Sequence, residues 1–264
     1  MDIKILHLLE GADQAGGLAV VIDVFRAFSL ECYLFSRGIQ KIYAVGREKT
    51  AWELKREHPE YLMAGERGGV ILPGFDFGNS PSQTEHADFQ DKILIHTTSA
   101  GTQGLVHTCA AGAGEILTGS LVNASAIASY IKSRNPERVS LVCMGNSGIT
   151  PAPEDELCAR YIRSILTGEP IEMGPEILSL VNEPSVAKFF DIRWKDVFPV
   201  KDLIMCLEYD RFPFVLKACQ CGDDIFEITR QSSICGNGYR IMRQTHRTPS
   251  HRQTPGDFCL TYAP

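Results

Sequence analysis

Acidic and basic side chains follow the first long apolar run of the chain. Residues 18–28 read LAVVIDVFRAF, so Asp23 ends the apolar run and Arg26 follows three residues later. A carboxylate beside a guanidinium suits the binding of a divalent cation next to an anionic group. In the alternative, Asp23 caps the helix that follows and Arg26 pairs with it. The stretch therefore predicts either a metal- and anion-binding site, in which Arg26 binds the anion, or a helix cap.

A second polar cluster lies in the glycine- and proline-rich loop over residues 65–81, GERGGVILPGFDFGNSP. It presents Glu66, Arg67, Asn79 and Ser80 on a backbone that can approach a ligand closely. A guanidinium binds phosphate or sulfonate through two parallel N–H bonds, so we expect Arg67 to bind one anionic end of a substrate. The alternative is a surface loop with solvated charges.

Hydroxyl-bearing and small residues follow the next apolar strand, at Thr97, Thr98, Ser99, Gly101 and Thr102. A helix that starts after such a turn leaves backbone N–H groups free to bind an anion. The turn lacks the GxxxxGK[ST] pattern of a Walker A loop. Capping of the helix by the hydroxyls is the alternative. In the first interpretation, this turn forms a phosphate cradle, opposite the end of the glycine-rich loop.

A fourth polar cluster follows the buried strand VSLVCMG, where Pro153 is expected to open a helix with Glu154 and Asp155 in its first turn. Either carboxylate alone could simply complement the helix dipole. However, the carboxyl ends of parallel strands meet at one edge of a sheet, where α/β proteins place their ligand sites. We therefore predict that Asp23, Glu66 and Asp155 lie close together and, with Glu154, supply metal ligands.

The order of the elements predicts how these clusters are positioned. Apolar strands alternate with helices and short connections, which indicates a mostly parallel sheet in an α/β fold. The first strand is expected over DIKILHLLE (2–10), and a helix over about Ala27 to Arg37. We assign residues 1–221 to one α/β domain, with two lobes over about 1–168 and 169–221 as an alternative. The basic, irregular remainder, 222–264, is predicted to be a loosely packed tail.

Composition narrows the range of partners. The chain has 264 residues, 44% of them hydrophobic and 22% charged, with a net charge of −6. An acidic chain does not offer the basic surface that nucleic acids require. It also has no apolar run near the ~20 residues that span a bilayer, so we expect a cytoplasmic protein. The spacing of its cysteines fits no paired zinc knuckle. A small anionic substrate remains compatible with these features, and so does a homodimer.

Several phosphate-handling mechanisms are excluded by spacing. A cysteine phosphatase loop has five residues between Cys and Arg, and the pairs with the nearest spacing have four: Cys32/Arg37, Cys206/Arg211 and Cys235/Arg240. The aspartyl nucleophile pattern DxD[GV]T is absent because Phe25 takes the second acidic position. A GxSxG nucleophile elbow is absent too. The carboxylates, arginines and hydroxyls that remain suit a hard cation such as Mg²⁺ together with a phosphate.

The strings VVIDVFRA, AGERGG, GFDFGNSP, HTTSAGT, GSLVNASA and PEDELCA, in this order and spacing, resemble the 2-phosphosulfolactate phosphatase family, known as ComB. The resemblance implies a three-layer α/β/α fold and a Mg²⁺-dependent phosphatase. It also implies that 2-phospho-3-sulfolactate is hydrolysed to 3-sulfolactate and phosphate, a step of coenzyme M synthesis. The implied catalytic residues are Asp23, Arg26, Glu66, Arg67 and Asp155. Asn123, in GSLVNASA, joins the residues expected to bind substrate.

The chain departs from this family pattern in the wall of the expected pocket. Where relatives usually read IDVLRATTT, residues 22–29 are IDVFRAFS, and where they read TTNGT, residues 98–102 are TSAGT. The reaction type is therefore better supported than the substrate. A second hypothesis is a non-catalytic or differently committed α/β protein that binds a small phosphorylated dianion.

Overall fold

Strands and helices alternate along the chain in a computed structural model that describes residues 1–232. Ten strands of this part of the chain form one sheet: β1 Asp2–His7, β2 Leu18–Ile22, β3 Lys41–Val45, β4 Leu62–Arg67, β5 Val70–Ile71, β6 Ile93–Thr97, β7 Glu115–Gly119, β8 Arg138–Cys143, β9 Phe214–Gln220 and β10 Ile225–Ser232. The α-helices are α1 Leu8–Ala12, α2 Ala27–Ser36, α3 Glu48–Glu57, α4 Gly101–Ala110, α5 Ala124–Arg134, α6 Pro153–Thr167, α7 Met173–Val181 and α8 Val200–Leu207. Short 3₁₀ helices cover Leu121–Asn123, Pro184–Phe189 and Ile192–Trp194.

The sheet consists of two parallel blocks joined by an antiparallel hairpin. Its order is β1-β8-β2-β7-β9-β10-β3-β6-β4-β5. Neighbours within β1-β8-β2-β7 and within β3-β6-β4 are parallel, whereas β9 and β10 are antiparallel to each other and to the blocks they touch. Three successive antiparallel pairings reverse the chain direction, so the two blocks run in opposite directions. The predicted mostly parallel, mixed sheet is confirmed.

Helices cover both faces of this sheet. Successive residues of β2 point to opposite faces. Val21 packs in one core with Phe28 of α2, and Val20 packs in another with Ile127 of α5 and Ile162 of α6. The predicted three-layer α/β/α arrangement is confirmed. Within residues 1–232, no helix is long and apolar enough to cross a membrane.

Helix α2 is buried on all sides. Every residue from Ala27 to Phe35 is buried, which is the behaviour expected of a helix with apolar residues around its whole circumference. Leu34 shares one core with Val21 of the first parallel block and Leu94 of the second. The helix therefore lies in the core that both blocks share. Its N-terminal end carries the Asp23 and Arg26 region into the interior of the fold.

The predicted domain end at residue 221 is wrong. Strand β10 pairs with both β9 and β3 in the middle of the sheet. Phe226 and Ile228 are buried in the core, and they alternate with polar residues as in a half-buried strand. The basic composition beyond this short run concealed its alternation. Residues 233–264, the rest of the predicted tail, lie outside the described residues.

The first predicted strand is also too long. It ends at His7, and Leu8–Ala12 forms the short helix α1. Leucines lie on both sides of the boundary between β1 and α1, at Leu6, Leu8 and Leu9, so the composition does not mark where the strand ends.

Asp224 joins the β9–β10 turn to the start of α3. Its carboxylate accepts hydrogen bonds from the backbone and guanidinium of Arg47, at 2.9 to 3.0 Å, and from the Thr50 hydroxyl at 3.0 Å. Burial alone would raise the pKa of Asp224, but these hydrogen bonds lower it below its ordinary value of 3.8. A carboxyl with a lowered folded-state pKa stabilises the fold above pH 3.8, and this stabilisation is lost as the pH falls through the lowered pKa.

We predict that Asp224→Asn lowers the free energy of unfolding by about 1–3 kcal/mol at neutral pH. The difference between variant and wild type should shrink as the pH falls through the lowered pKa of Asp224, because below it Asp224 is protonated in both the folded and the unfolded state of the wild type. Urea unfolding of variant and wild type, at neutral pH and at a pH below the lowered pKa, measures this difference in the free energy of unfolding. The exposed neighbour Asp223 offers a control, since Asp223→Asn should change stability little. An Asp224 variant as stable as wild type at neutral pH would contradict this role.

Candidate active site

The Asp23 carboxylate connects the starts of two helices. Asp23 follows β2 directly and is only 7% exposed. Its Oδ1 accepts a hydrogen bond from the Ala27 N–H of α2 at 3.2 Å, and its Oδ2 accepts one from the Gly101 N–H of α4 at 3.0 Å. The cap interpretation of Asp23 is therefore realised, but the carboxylate also faces a cavity. The Asp23 carboxylate therefore both caps α2 and forms part of the cavity wall.

The surroundings of Asp23 disfavour its charge. Burial raises the pKa of this carboxyl to about 7, and the negative charge of Glu66 adds to the rise. The hydrogen bonds from Ala27 and Gly101 and the nearby His96 ring act in the opposite direction. A positive charge bound in the cavity would relieve the repulsion between Asp23 and Glu66.

Glu66 occupies the wall of the same cavity, at the end of β4. Its Oε1 accepts the Ser99 N–H at 2.7 Å, and its Oε2 accepts the Gly69 N–H at 2.6 Å and the Ser99 hydroxyl at 3.1 Å. These bonds hold the glycine-rich loop against the turn that precedes α4. Two of the predicted clusters therefore meet at one carboxylate.

Arg26 is held by a buried ion pair that the sequence did not reveal. Its Nη1 lies 2.7 Å from Oδ2 of Asp202 in α8 and 2.6 Å from the Val197 carbonyl oxygen. The guanidinium also lies over the Phe198 ring, 4.9 Å from its centroid. Asp202 has a second partner in the Ser80 hydroxyl, at 2.9 Å. The alternative in which Arg26 pairs with Asp23 is wrong, since its partner is Asp202.

A charged residue on the buried face of α8 is the signal that could have identified Asp202. Met205 and Cys206, which are three and four residues further along, are both buried, so Asp202 lies on the apolar face of the helix. A charge at such a position requires a partner. Its partner is 176 residues away along the chain, which no local pattern could have indicated.

Asp155 lies behind the cavity rather than in its wall. Its two oxygens accept the N–H groups of Val24 and Gly145, both at 2.8 Å. Burial, followed by the charges of Asp23 and Glu154, raises the pKa of Asp155 well above its ordinary value. The predicted proximity of Asp155 to Asp23 is thus visible as electrostatic repulsion, but Asp155 does not line the cavity. Its bonds fix the backbone that follows β2 and β8.

Glu154 is buried in the first turn of α6 and does not line the cavity. Its Oε2 has no hydrogen-bond partner among residues 1–232. Burial raises the pKa of Glu154, and the positive charge of Lys188 opposes this rise. The charge of Glu154 in turn favours the protonated form of Lys188, which lines the cavity.

The cavity has a volume of about 300 Å³. It is lined mainly by charged, polar and aromatic residues from seven stretches of the chain: Asp23, Phe25, Arg26, Glu66, Gly68, Gly69, Asn79, Ser99, Ala100, Gly145, Asn146, Ser147, Lys188 and Phe198. A polar cavity of this size suits a small, highly charged molecule better than an apolar one.

Lys188 is the cation in this wall that the sequence did not indicate. It follows α7 in a short 3₁₀ helix, and its Nζ lies 5.6 Å and 5.1 Å from the ring centroids of Phe189 and Phe198. Burial lowers the pKa of Lys188, and the charge of Glu154 partly offsets this. Among residues 1–232, no carboxylate oxygen lies within the 4.0 Å of an ion pair with Lys188, unlike Arg26. Its charge is therefore available to an anion.

Of the residues predicted to bind substrate, Asn79 and Ser99 line the cavity. The Asn79 Oδ1 lies 3.1 Å from Nε2 of His96, whose Nδ1 lies 2.9 Å from Oε1 of Glu31. Both His96 and Glu31 are fully buried. This buried chain of polar groups fixes the orientation of the Asn79 amide.

The other predicted substrate ligands do not line the cavity. Ser80, Thr97, Thr98, Thr102 and Asn123 are buried. Thr98 and Thr102 bond to each other's backbone, and Asn123 accepts the Ser120 N–H at 3.1 Å. These side chains shape the turns from behind.

Arg67 is also absent from the cavity wall. Its guanidinium donates to the Glu66 carbonyl oxygen at 2.7 Å and to the Thr97 hydroxyl at 3.1 Å. Adjacent residues of a strand point to opposite faces, so Arg67 and Glu66 at the end of β4 diverge. The structure therefore places this arginine away from the position in which it would bind substrate.

The predicted phosphate cradle is largely occupied by the protein's own acceptors. The amides of Ser99, Gly101 and Thr102 donate to Glu66, Asp23 and Thr98. Ala100 lines the cavity, and within residues 1–232 its N–H makes no hydrogen bond. The turn thus positions two carboxylates and offers one free amide to an anion.

Asp23 and Glu66 fit a hard cation, whereas Asp155 and Glu154 do not. Within residues 1–232, no three of the four predicted carboxylates bring oxygen atoms within 4.8 Å of one another. Mg²⁺, however, usually takes only one or two direct carboxylates and completes its shell with water and phosphate oxygens. The two repelling carboxylates in the cavity wall meet that requirement. Asp155 and Glu154, by contrast, do not line the cavity.

Comparison with known proteins assigns the family. Residues 4–220 match the family model described as 2-phosphosulpholactate phosphatase. The chain belongs to this family. Membership in the 2-phosphosulpholactate phosphatase family places it among the phosphoric monoester hydrolases and confirms the resemblance to ComB.

Individual relatives agree with this family, and each is named a probable 2-phosphosulfolactate phosphatase. The relative from Bacillus subtilis is 32% identical over 220 residues, which cover 82% of this chain and 92% of the relative. That from Deinococcus radiodurans is 34% identical over 131 residues, or 50% of this chain and 54% of the relative. That from Carboxydothermus hydrogenoformans is 36% identical over 167 residues, or 63% and 68%.

Gly101 tests the position of the Asp23 carboxylate. A Cβ atom at Gly101 would lie 2.9 Å from Cζ of Phe28 and 3.0 Å from Oδ2 of Asp23, so Gly101→Ala must displace one of them. We predict that this variant folds but releases phosphate from an aryl phosphate about tenfold to a hundredfold more slowly. Gly174→Ala, in α7, is the matched control, because its Cβ would meet nothing within 4 Å. Equal rates for both variants would show that the Asp23 position is unimportant.

Proposed function

We propose that this phosphatase is Mg²⁺-dependent and that it hydrolyses 2-phospho-3-sulfolactate to 3-sulfolactate and phosphate. The observation that carries the proposal is the cavity in which Asp23 and Glu66 face Lys188 and Arg26. The relatives' names supply the substrate. A substrate with phosphate, sulfonate and carboxylate groups requires several positive groups in a small polar cavity, which matches this wall.

Asp23 and Glu66 are the residues that would hold the Mg²⁺. A bound Mg²⁺ supplies charge neutralisation for phosphate oxygens and orients the reacting groups. The chain's own part is to hold both carboxylates rigidly. Each accepts at least two backbone N–H bonds, so neither has to reorganise when the substrate binds.

Lys188 and the Ala100 N–H are proposed to bind the substrate anion, and the Asn79 amide to fix its orientation. Lys188 has no carboxylate partner within ion-pair distance among the described residues, so its charge is not already neutralised. The rings of Phe25 and Phe198 also line the cavity. They limit the access of water around the bound anion, and electrostatic attraction is stronger where water is excluded.

Arg26 is proposed to contribute to the shape of the cavity as well as to its charge. The Asp202 carboxylate neutralises part of its positive charge. The Arg26 guanidinium also donates to the Gly69 carbonyl oxygen at 3.3 Å, which holds the glycine-rich loop near α8. A cytoplasmic location, a homodimer and a step in coenzyme M synthesis stay predictions.

The substrate is tested by phosphate release from a panel of phosphorylated hydroxy acids, with Mg²⁺ present or removed by a chelator. We expect 2-phospho-3-sulfolactate to be hydrolysed with the highest kcat/KM, and activity to return when Mg²⁺ is restored. Asp23→Asn should lower kcat by about a hundredfold or more and keep the fold. Binding of the panel without phosphate release would favour the hypothesis of a non-catalytic anion-binding protein. An undiminished rate after chelation would reject the metal.

The cation that binds the anion is tested by comparing substitutions of two cationic residues, Lys188 and Arg67. Lys188→Met should lower kcat/KM by about tenfold to a hundredfold, because a charge-assisted hydrogen bond to the anion is lost. Arg67→Lys should leave kcat/KM near the wild-type value, since this side chain does not line the cavity. The reverse result would return Arg67 to the role that its sequence position suggests.

A further inference from the structure

A second group of metal-ligating side chains lies outside the catalytic cavity. The ligand atoms of His7, Cys143 and Glu156 all lie within 4.8 Å of one another. Nδ1 of His7 and Oε1 of Glu156 are 2.7 Å apart. None of the three lines the cavity, and no step proposed for the phosphatase uses them.

The fold brings these residues together from three elements. His7 ends β1 and Cys143 ends β8, and the two residues are paired in the parallel register of these strands. Cys143 points to the face covered by α5 and α6, where it shares a core with Leu141 and Ile162. Glu156 lies in the first turn of α6. The three ligand groups thus converge where two strands end below the start of a helix.

The ligand chemistry favours a borderline ion over a hard one. Thiolate sulfur, imidazole nitrogen and carboxylate oxygen are all common ligands of Zn²⁺, which prefers four ligands in a tetrahedron. Mg²⁺ selects oxygen ligands and would not use the thiolate. Three protein ligands leave one position for water.

Access to the group is one-sided. The side chains of His7 and Glu156 are 52% and 30% exposed, whereas Cys143 is 2% exposed. An ion can therefore arrive from solvent between the histidine and the glutamate and reach the sulfur at the buried end. Cys143 Sγ now donates to the Asp155 carbonyl oxygen at 3.5 Å. Formation of the metal–sulfur bond would release that thiol proton to solvent.

We infer that His7, Cys143 and Glu156 bind one Zn²⁺ ion. The ion joins β1 and β8 to the first turn of α6, next to Asp155. Because Asp155 holds the N–H groups of Val24 and Gly145, the ion stabilises the backbone beside the catalytic cavity from outside. The opposing interpretation is a hydrogen bond between histidine and glutamate, with the cysteine acting as a small buried hydrophobe.

Co²⁺ in place of Zn²⁺ gives a direct test, because a Co²⁺–thiolate bond has a charge-transfer absorption band. Co²⁺ is titrated into the reduced, full-length protein with excess Mg²⁺, which keeps the catalytic cavity saturated. We expect one equivalent of Co²⁺ to produce the band. Added Zn²⁺ should displace the Co²⁺ and remove the band. Among residues 1–232, no cysteine lines the cavity, so Co²⁺ held there by these residues would give no such band.

Variants then assign the ligands. Cys143→Ser should abolish the band. A protein in which Cys219 and Cys221, the two cysteines exposed within residues 1–232, are changed to Ser should keep it. His7 is exposed, so His7→Ala should not endanger folding. It should weaken Zn²⁺ binding, measured by calorimetry, by about a hundredfold or more, because even residues that only hydrogen-bond to a metal ligand usually contribute about tenfold to a hundredfold in affinity.

Three outcomes would overturn the zinc site: no band in the wild type, a band that persists in Cys143→Ser, or equal Zn²⁺ affinity of His7→Ala and wild type. None of these readouts depends on phosphatase activity. Thermal unfolding provides a second check, since Zn²⁺ should raise the Tm of the wild type but not that of His7→Ala.

Discussion

The Asp23 carboxylate is the contact on which the cavity depends. It accepts one N–H from the start of α2 and one from the start of α4. Helix α2 follows β2 of the block β1-β8-β2-β7, and α4 follows β6 of the block β3-β6-β4. These two blocks run in opposite directions. In a flat sheet, the carboxyl ends of the two blocks would lie at opposite edges. The helices that follow them nevertheless meet at Asp23, and the twist of a sheet, which rotates each strand relative to its neighbour, changes strand direction across so many strands.

The electrostatics of the site follow from how much charge is buried there. Asp23, Glu66, Glu154 and Asp155 are all buried within a short distance of the cavity. Backbone amides satisfy most of their oxygens, but amides do not neutralise charge. Burial raises the pKa of Asp23, and the negative charge of Glu66 adds to the rise. A divalent cation would reduce this excess of negative charge. The excess also favours a positive side chain beside the cavity, and the charge of Glu154 favours the protonated form of Lys188.

Much of the site was predictable because its residues follow apolar strands. Asp23 after β2 and Glu66 at the end of β4 were predicted to share a site, and both line the cavity. The carboxyl ends of parallel strands share an edge only within one block. Asp23 and Glu66 follow strands of different blocks, so a shared edge does not account for their proximity. The antiparallel hairpin of β9 and β10 could not be anticipated, because β10 lies in a stretch whose basic surroundings resemble a tail.

Residues that act through long-range contacts escaped prediction. Lys188 lies in a segment without clear periodicity or motif. Asp202 lies on the apolar face of α8, but its partner Arg26 is 176 residues away in the sequence. Arg67 and Thr97 show the opposite failure, because their residue types suggested ligand binding while the pleat of their strands directs them elsewhere. Spacing along the chain indicates which residues can do chemistry. Which side of a strand each one occupies depends on register and on the curvature of the sheet.

The most direct test of the site is a crystal structure with Mn²⁺ in place of Mg²⁺ and a phosphonate analogue of 2-phospho-3-sulfolactate, with the metal located by its anomalous scattering. Mn²⁺ should be bound by carboxylate oxygens of Asp23 or Glu66, and the phosphonate should lie within hydrogen-bond distance of Lys188 Nζ and the Ala100 N–H. Mn²⁺ bound by Asp155 away from the cavity, or a phosphonate held by Arg67 on the other face of β4, would contradict this assignment.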